Sequence, residues 1–186
     1  MNTRLNFLVV AAGVSASLAV AAPALAASPS VRLSGGTTTL HVTSSASKAL
    51  RAAGVTVSAS KPAKRTGQVL VLPIRGGSVN PATGAASITH KGVVTFAKGR
   101  IAIPISNLTI DTRRHTFAGT SHGTTLVLAT ATGGKISLRG GSPRVTGVQL
   151  KATRVGALAL DGAFQTRFFR AGTLLGTATI APTVKH

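Results

Sequence analysis

The stretch IAIPISNLTI at positions 101–110 carries the pattern that decides the fold. Ile101, Ile103 and Ile105 alternate with smaller or polar residues, and Leu108 and Ile110 repeat the alternation. Because successive side chains of a β-strand point to opposite faces, apolar residues at every second position indicate a strand with one buried face. This stretch therefore predicts β-structure at the centre of the chain.

Similar short runs extend on both sides of this stretch. Residues 69–72 and 126–128 are continuous apolar runs that predict short buried strands, and Ile136 and Leu138 alternate again. Turn-forming pairs and groups separate the runs: Gly76-Gly77, Pro81-Ala82-Thr83-Gly84, Lys98-Gly99, Gly133-Gly134 and Gly140-Gly141. Many short strands separated in this way favour an all-β fold, and we predict an antiparallel β-sandwich with one or two short helices.

One segment has the pattern of a helix. Ser44-Ser45 precede an Ala-rich segment from Ala46 to Ala53, and Gly54 follows as a stop signal. A second such segment lies about 110 residues further along the chain. Its alignment pairs Leu40 with Leu150, Thr43 with Thr153, Ala46 with Gly156, Ala49 with Ala159, Leu50 with Leu160 and Ala53 with Ala163. We interpret this as a pseudo-repeat of strand, helix and strand, with the helices at opposite ends of the sandwich; chance similarity between small residues is the alternative.

The first 26 residues have the pattern of a cleavable signal peptide. Arg4 precedes an apolar run from Leu5 to Ala21, and Ala24-Leu25-Ala26 provides the small-x-small cleavage motif. A transmembrane anchor is the alternative, but the run is short and ends in a cleavage site rather than a basic flank. We expect a signal peptide over 1–26, a single domain over 27–186, and a product that is secreted, extracellular or associated with the cell wall.

The charge of the chain is strongly unbalanced. Lys and Arg total 21, whereas Asp111 and Asp161 are the only acidic residues, so the formal net charge is +19. A surface of this kind attracts phosphates and carboxylates. We therefore expect anionic cell-wall polymers or an anionic small ligand as partners, and no nucleic acid because of the predicted export. Cysteine is absent, so the fold has no disulfide bonds.

The sequence offers little for catalysis. Asp111 and His115, together with Ser106 or Ser121, could form a hydrolytic triad, but none of these serines lies in the glycine pattern of a nucleophile elbow. We predict instead that Asp111 caps the turn Asp111-Thr112-Arg113-Arg114 and that the protein is not an enzyme. A hydrolase remains the third hypothesis.

Four histidines are the candidate metal or haem ligands: His41, His90, His115 and His122. None has the close pairing of a zinc site, so no metal site is predicted. The tripeptide His90-Lys91-Gly92 predicts a hairpin tip with a solvated histidine. Phe168-Phe169, flanked by Arg167 and Arg170, is the one aromatic and basic cluster, and we expect one of its two rings in the core and the other at an edge.

Several stretches together resemble the HtaA-like domain of secreted and envelope proteins of actinobacteria. They are Gly36–Leu40, Ala49–Val57, Leu72–Gly77, Ile88–Phe96, Ile105–Leu108, Val145–Leu150 and Ala171–Ala178. The resemblance covers nearly all of the chain after the predicted signal peptide. It implies a β-sandwich carrying a short helix and, in the best-known branch of the family, haem binding during iron uptake.

This sequence departs from the ligand pattern of that branch. The resemblance implies a tyrosine on the first helix as the haem ligand, supported by a histidine in a later loop, yet the chain has no tyrosine at all. The first helix offers Ala46, Ala49 and Leu50, and the loop at 97–100 has no histidine. We therefore expect a non-enzymatic envelope binding module without a cofactor. The alternative is haem binding through His41 and His90, with Arg or Lys side chains on the propionates.

Overall fold

The computed structural model describes residues 30–139, 142–167 and 169–184. The predicted signal peptide over 1–26 and the predicted turn Gly140-Gly141 lie outside these ranges. The strands are β1 (Val31–Val42), β2 (Thr56–Ser60), β3 (Lys64–Thr66), β4 (Val69–Val79), β5 (Ala86–His90), β6 (Val93–Lys98), β7 (Ile101–Asp111), β8 (Thr116–Ser121), β9 (Thr124–Thr132), β10 (Lys135–Arg139), β11 (Ser142–Ala152) and β12 (Leu174–Val184); the helices are α1 (Ser44–Ala52) and α2 (Arg154–Phe164).

Eight of these strands form a closed antiparallel barrel. Their order around the barrel is β7-β5-β4-β1-β12-β11-β9-β8, and the pairing of β8 with β7 closes the ring. The predicted all-β class with two short helices is confirmed, but the predicted sandwich is wrong. Alternation along a strand shows which face is buried, whereas closure depends on which edge strands pair, and that information is not local.

The remaining strands, β2, β3, β6 and β10, pair with strands of the ring or with one another outside it. β5 pairs with the second half of β7, β6 pairs with the first half, and β2 adds to β6. β3 adds to β4, and β10 adds to β11.

The predicted turn at Gly76-Gly77 is wrong, because both residues lie inside β4. Gly77 has φ +137°, and a Cβ there would lie 2.1 Å from the Ser87 carbonyl oxygen, so this position holds glycine at a local irregularity of the strand.

The interior of the barrel is apolar and is filled by the alternating residues that the sequence indicates. Ile105, Leu108 and Ile110 of β7 are fully buried, and Ile105 and Leu108, three residues apart, share the interior because the pairing with β8 shifts register between Ser106 and Thr109. Ile101 is 45% exposed because the first half of β7 leaves the barrel to pair with β6. Other large buried side chains come from the strands around the ring: Leu72, Ile88, Val148, Leu150 and Ile180.

Both helices begin with the same threonine cap. Thr43 Oγ1 accepts a hydrogen bond from the Ala46 amide (3.1 Å) and donates to the Leu174 carbonyl (2.9 Å). Thr153 Oγ1 accepts from the Gly156 amide (2.9 Å) and donates to the Val127 carbonyl. The predicted cap at Ser44-Ser45 is therefore wrong by one residue. The pairing of Thr43 with Thr153 in the pseudo-repeat has a structural counterpart, because each cap ties its helix to a neighbouring strand.

The two helices lie at the same end of the barrel, not at opposite ends as predicted. The reason is topological: β1 and β11 are both antiparallel neighbours of β12, so they run in the same direction. Each helix follows the end of its strand and therefore emerges at the same mouth. Within the described part of the chain, no helix is long and apolar enough to cross a membrane.

Candidate functional site

A pocket lies at the helical end of the barrel, between α1, α2 and the strands beneath them. Its volume is about 130 Å³. The helices contribute small and aliphatic residues, and the strands contribute the apolar ends of the barrel core. The lining residues are Leu40, Val42, Ala46, Ala49, Leu50, Val57, Arg65, Leu70, Val94, Phe96, Ile105, Leu108, Phe117, Leu128, Leu150, Ala152, Gly156, Ala157, Leu160, Phe169, Arg170, Thr173 and Leu175.

Small residues on the inner faces of the helices shape this pocket. A Cβ on Gly156 would lie 2.5 Å from the carbonyl oxygen of Leu128, so glycine lets α2 rest directly on the backbone of β9. Ala46 and Ala49 present only methyl groups from α1. The space between the helices is therefore open because the residues that face it are short.

The chemistry of the pocket wall is almost entirely apolar. Arg65 and Arg170 are the basic residues among those that line it. The Arg65 guanidinium donates to the carbonyl of Val57, and Arg170 is exposed to solvent. Among the described lining residues there is no His, Cys, Met, Tyr, Asp or Glu. This wall suits an apolar group, and it supplies no group for proton transfer or iron ligation.

His41, one of the two predicted haem-ligand candidates, points away from the pocket. It is exposed on β1 between Leu40 and Val42, both of which line the pocket. Since neighbouring side chains of a strand point to opposite faces, the imidazole lies on the outer surface of the barrel.

His90, the second candidate, is 1% exposed and lies inside the barrel. Its Nδ1 donates to the Leu108 carbonyl (2.9 Å), and its Nε2 accepts from the Thr38 hydroxyl (2.7 Å). Burial lowers the pKa of His90 from 6.5 to about 4, although the hydrogen bond to Leu108 acts in the opposite direction. The prediction of a solvated hairpin tip is wrong, because β5 and β6 do not pair with each other but lie end to end along β7.

The residues of the hypothetical triad are far apart in the described fold. Ser106 pairs with Thr120, and Asp111 pairs with Thr116. Ser106 and Asp111 are therefore about 17 Å apart along the barrel wall, since they are five residues apart on one strand. Ser121 and His115 lie at opposite ends of β8. Asp111 Oδ1 accepts hydrogen bonds from the amides of Arg113 (3.0 Å) and Arg114 (2.9 Å), so the predicted turn cap is confirmed. His122 lies at the helical end of β8, so it does not meet His115 either.

A second cavity, of about 260 Å³, lies at the opposite mouth of the barrel. Turn residues surround it, among them Gly84, Thr112, His115 and Gly134. The Thr112 hydroxyl is already used within the fold, since it accepts from the Ala86 amide (2.7 Å) and lies 3.2 Å from the Gly84 carbonyl oxygen. The Thr112 hydroxyl is therefore engaged within the fold rather than free for a ligand in this cavity.

The sequence does not predict the pocket, although several of the pocket residues stand out in it for other reasons. Phe169 of the aromatic and basic cluster is half-buried and lines the pocket, whereas Phe168 lies outside the described residues. The fully buried ring in this region is Phe164, at the end of α2. The signal in the sequence was the pseudo-repeat, because Ala46, Leu50, Gly156 and Leu160 are aligned pairs that all face the pocket.

Comparison with known proteins identifies the fold. No protein-family model matches the chain, and no curated protein is significantly similar to it in sequence. Among solved structures, the C-terminal domain of HtaA from Corynebacterium glutamicum superposes with a TM-score of 0.64 at 15% identity, covering 83% of this chain and 99% of that domain. Heme binding protein HtaB from the same organism gives a TM-score of 0.54 at 17% identity, covering 84% of this chain and 96% of that one. The chain therefore has the fold of the HtaA-like domain, as the resemblance in its sequence implies.

Proposed function

We propose that this chain is a non-enzymatic binding protein that takes the apolar part of a small amphipathic anion into the pocket between α1 and α2. The observation that carries the proposal is the pocket itself, with its apolar wall and its volume of about 130 Å³. An apolar cavity of about 150 Å³ is sufficient to bind a benzene-sized guest. The pocket is therefore matched to an aromatic ring or a short branched hydrocarbon group.

The charge of the protein supports an anionic group on the same ligand. Arg65 and Arg170 contribute to the pocket, and Arg170 is exposed, so its guanidinium can meet a carboxylate outside the apolar wall. The net charge of +19 raises the local concentration of any anion near the surface. Together these features favour a ligand with an apolar end and a carboxylate or phosphate end.

Haem is the second candidate ligand, because HtaB, a heme binding protein, shares this fold. The residues that line the pocket do not fit haem iron, since no described lining residue carries a side chain that ligates it. His41 faces outward, and both ring nitrogens of His90 are engaged in hydrogen bonds. In this pocket, haem would depend on contacts to its ring and its propionates alone, and the helices would have to separate to admit so large a ring.

We further propose that the protein acts outside the cell or at the cell wall, as the signal-peptide pattern of residues 1–26 favours. There its cationic surface would meet anionic wall polymers. Contacts of this kind between exposed charges are screened within about 8 Å at physiological ionic strength. Salt therefore separates surface attraction, which it weakens, from binding inside the pocket, which it leaves largely intact.

The test is a fluorescence titration with anilinonaphthalene sulfonate, an aromatic anion, at low and high salt. We expect saturable binding that persists at high salt. Ala49→Phe places a ring in the pocket and should weaken binding at least tenfold, whereas Ala52→Phe on the exposed side of the same helix should leave it unchanged. Equal binding by both variants, or loss of all binding at high salt, would contradict the proposal.

A parallel haem titration separates the second candidate from the first. A Soret shift that saturates at one haem per chain and resists salt would favour haem as the ligand, and His41 and His90 would then be replaced in turn. Weak binding that disappears at high salt would show that only the positive surface attracts haem.

A further inference from the structure

The outer face of α2 carries two exposed apolar side chains. Val155 is 59% exposed and Leu158 is 60% exposed, and the two lie one helical turn apart on the same face. Among the described residues, the other large hydrophobic side chains with comparable exposure are Ile101 and Leu138, which lie on separate strands. Single exposed apolar residues are common on protein surfaces, but two adjacent ones on the same helix face form a small patch, and such patches often mark an interaction site.

The pseudo-repeat supplies an internal comparison for this face. α1 begins with the same threonine cap, lies at the same end of the barrel and contributes to the same pocket. Its residues at the positions aligned with Val155 and Leu158 are Ser45 and Lys48, and both are exposed. The barrel therefore tolerates polar residues at this position of the repeat. The apolar pair on α2 is not explained by packing within the fold.

The surroundings of the apolar pair are cationic. Arg154 is exposed at the start of α2, and Arg167 and Arg170 are exposed just after its end. The one acidic residue of the helix, Asp161, is directed to its own loop, since Oδ1 accepts from the Thr166 hydroxyl (2.7 Å) and the Phe169 amide (3.2 Å). An exposed apolar pair with arginines at both ends of its helix matches the boundary of a bilayer with anionic headgroups.

We propose that the outer face of α2, with Val155 and Leu158, docks on an anionic lipid surface together with the arginines at the two ends of the helix, Arg154, Arg167 and Arg170. Val155 and Leu158 enter the boundary between headgroups and acyl chains, and the arginines contact lipid phosphates. The net charge favours a lipid surface over a second copy of the chain as the partner, because two molecules that each carry a formal charge of +19 repel each other. Docking here brings Arg170 and Phe169, which line the pocket, close to the bilayer. The docking does not depend on a ligand in the pocket.

The experiment is co-sedimentation of the purified protein with vesicles of phosphatidylcholine alone and of phosphatidylcholine mixed with phosphatidylglycerol. We expect binding to the anionic vesicles only. The double variant Val155→Ser, Leu158→Ser should lower the partition coefficient at least tenfold. Leu138→Ser is the matched control, because Leu138 is 66% exposed on β10, near the other end of the barrel, and its loss should change nothing.

The charged residues are tested in the same way. Replacing Arg154 and Arg167 with Gln should weaken binding about fivefold per residue, which corresponds to the contribution of one basic residue at an anionic membrane. The control variant replaces Arg113 and Arg114, which are exposed in the turn at the opposite end of the barrel, with Gln. It should have a clearly smaller effect. Circular dichroism and thermal unfolding confirm that each variant is folded.

Three results would overturn the proposal. The first is vesicle binding by the α2 double variant that is as strong as that of the Leu138 variant, since a general cationic field would then explain all binding. The second is equal binding to neutral and anionic vesicles. The third is a dimer in sedimentation equilibrium that the α2 variant abolishes, which would make this face a contact between copies. Ala49→Phe should bind vesicles as the unaltered protein does, so a failure of the pocket proposal is distinguishable from a failure of this one.

Discussion

Two glycines of α2 provide a matched test of how this helix is held on the barrel. An alanine Cβ at position 156 would lie 2.5 Å from the Leu128 carbonyl oxygen and 2.9 Å from its Cα, and these backbone atoms do not move aside easily. At position 162 no atom lies within 4 Å of the added Cβ. The same substitution therefore adds one methyl group to a tight contact in the first case and to open solvent in the second.

The magnitudes follow from this geometry. Alanine in a helix interior stabilises by about 0.5–1 kcal/mol relative to glycine, and Gly162→Ala should show this gain in full. Gly156→Ala gains the same term but must push α2 off β9, and overpacking of this kind costs about 1–3 kcal/mol. Both glycines lie in a terminal turn of α2, so the intrinsic helix term is of similar size in the two variants and their difference reports mainly the steric cost.

Urea unfolding of the two variants measures this difference. We expect the midpoint of Gly156→Ala to fall below that of Gly162→Ala by about 1 M, with similar slopes. Gly156→Ala should also weaken ligand binding, because Ala157 and Leu160 move with the helix. If Gly156→Ala is as stable as Gly162→Ala, α2 does not rest on the backbone of β9 and the packing described above is incorrect.

Two further predictions concern the buried histidine and the helix caps. Because the pKa of His90 is lowered to about 4 in the folded protein, the unfolded chain takes up the proton first; stability should fall by about 3 kcal/mol between pH 6.5 and pH 4 and then level off. His90→Asn should remove this part of the pH dependence in urea titrations, whereas His41→Asn should keep it, and a slope unchanged in both variants would refute the assignment. Thr43→Ala and Thr153→Ala should each cost about 1 kcal/mol, measured as a lower urea midpoint, since each removes an N-cap; no change in either would contradict the cap geometry.

The sequence determines the local features of this protein. The alternation in β7 identifies a strand with one buried face, because the period of two is a property of any extended strand. Ile105 and Leu108 lie three residues apart, so their shared burial depends on the register shift between Ser106 and Thr109. The turns at 81–84 and 133–134 follow from residue types that adopt turn conformations readily. The aligned threonines 43 and 153 cap both helices, although the local pattern predicts the first cap at Ser44-Ser45. The resemblance to the HtaA-like domain rests on such local features and is supported by the shared fold.

The tertiary structure alone decides the closure of the barrel, the shared position of the helices and the pocket between them. Each depends on strands that are distant in sequence and pair only in the folded chain, as β1 and β11 do with β12. His90 shows the same limit: Thr38, 52 residues away, and Leu108 hold its ring inside the barrel. A residue pattern fixes which way a side chain points along its own strand. The neighbours that this side chain contacts depend on which strands pair, and strand pairing depends on residues that are distant in the sequence.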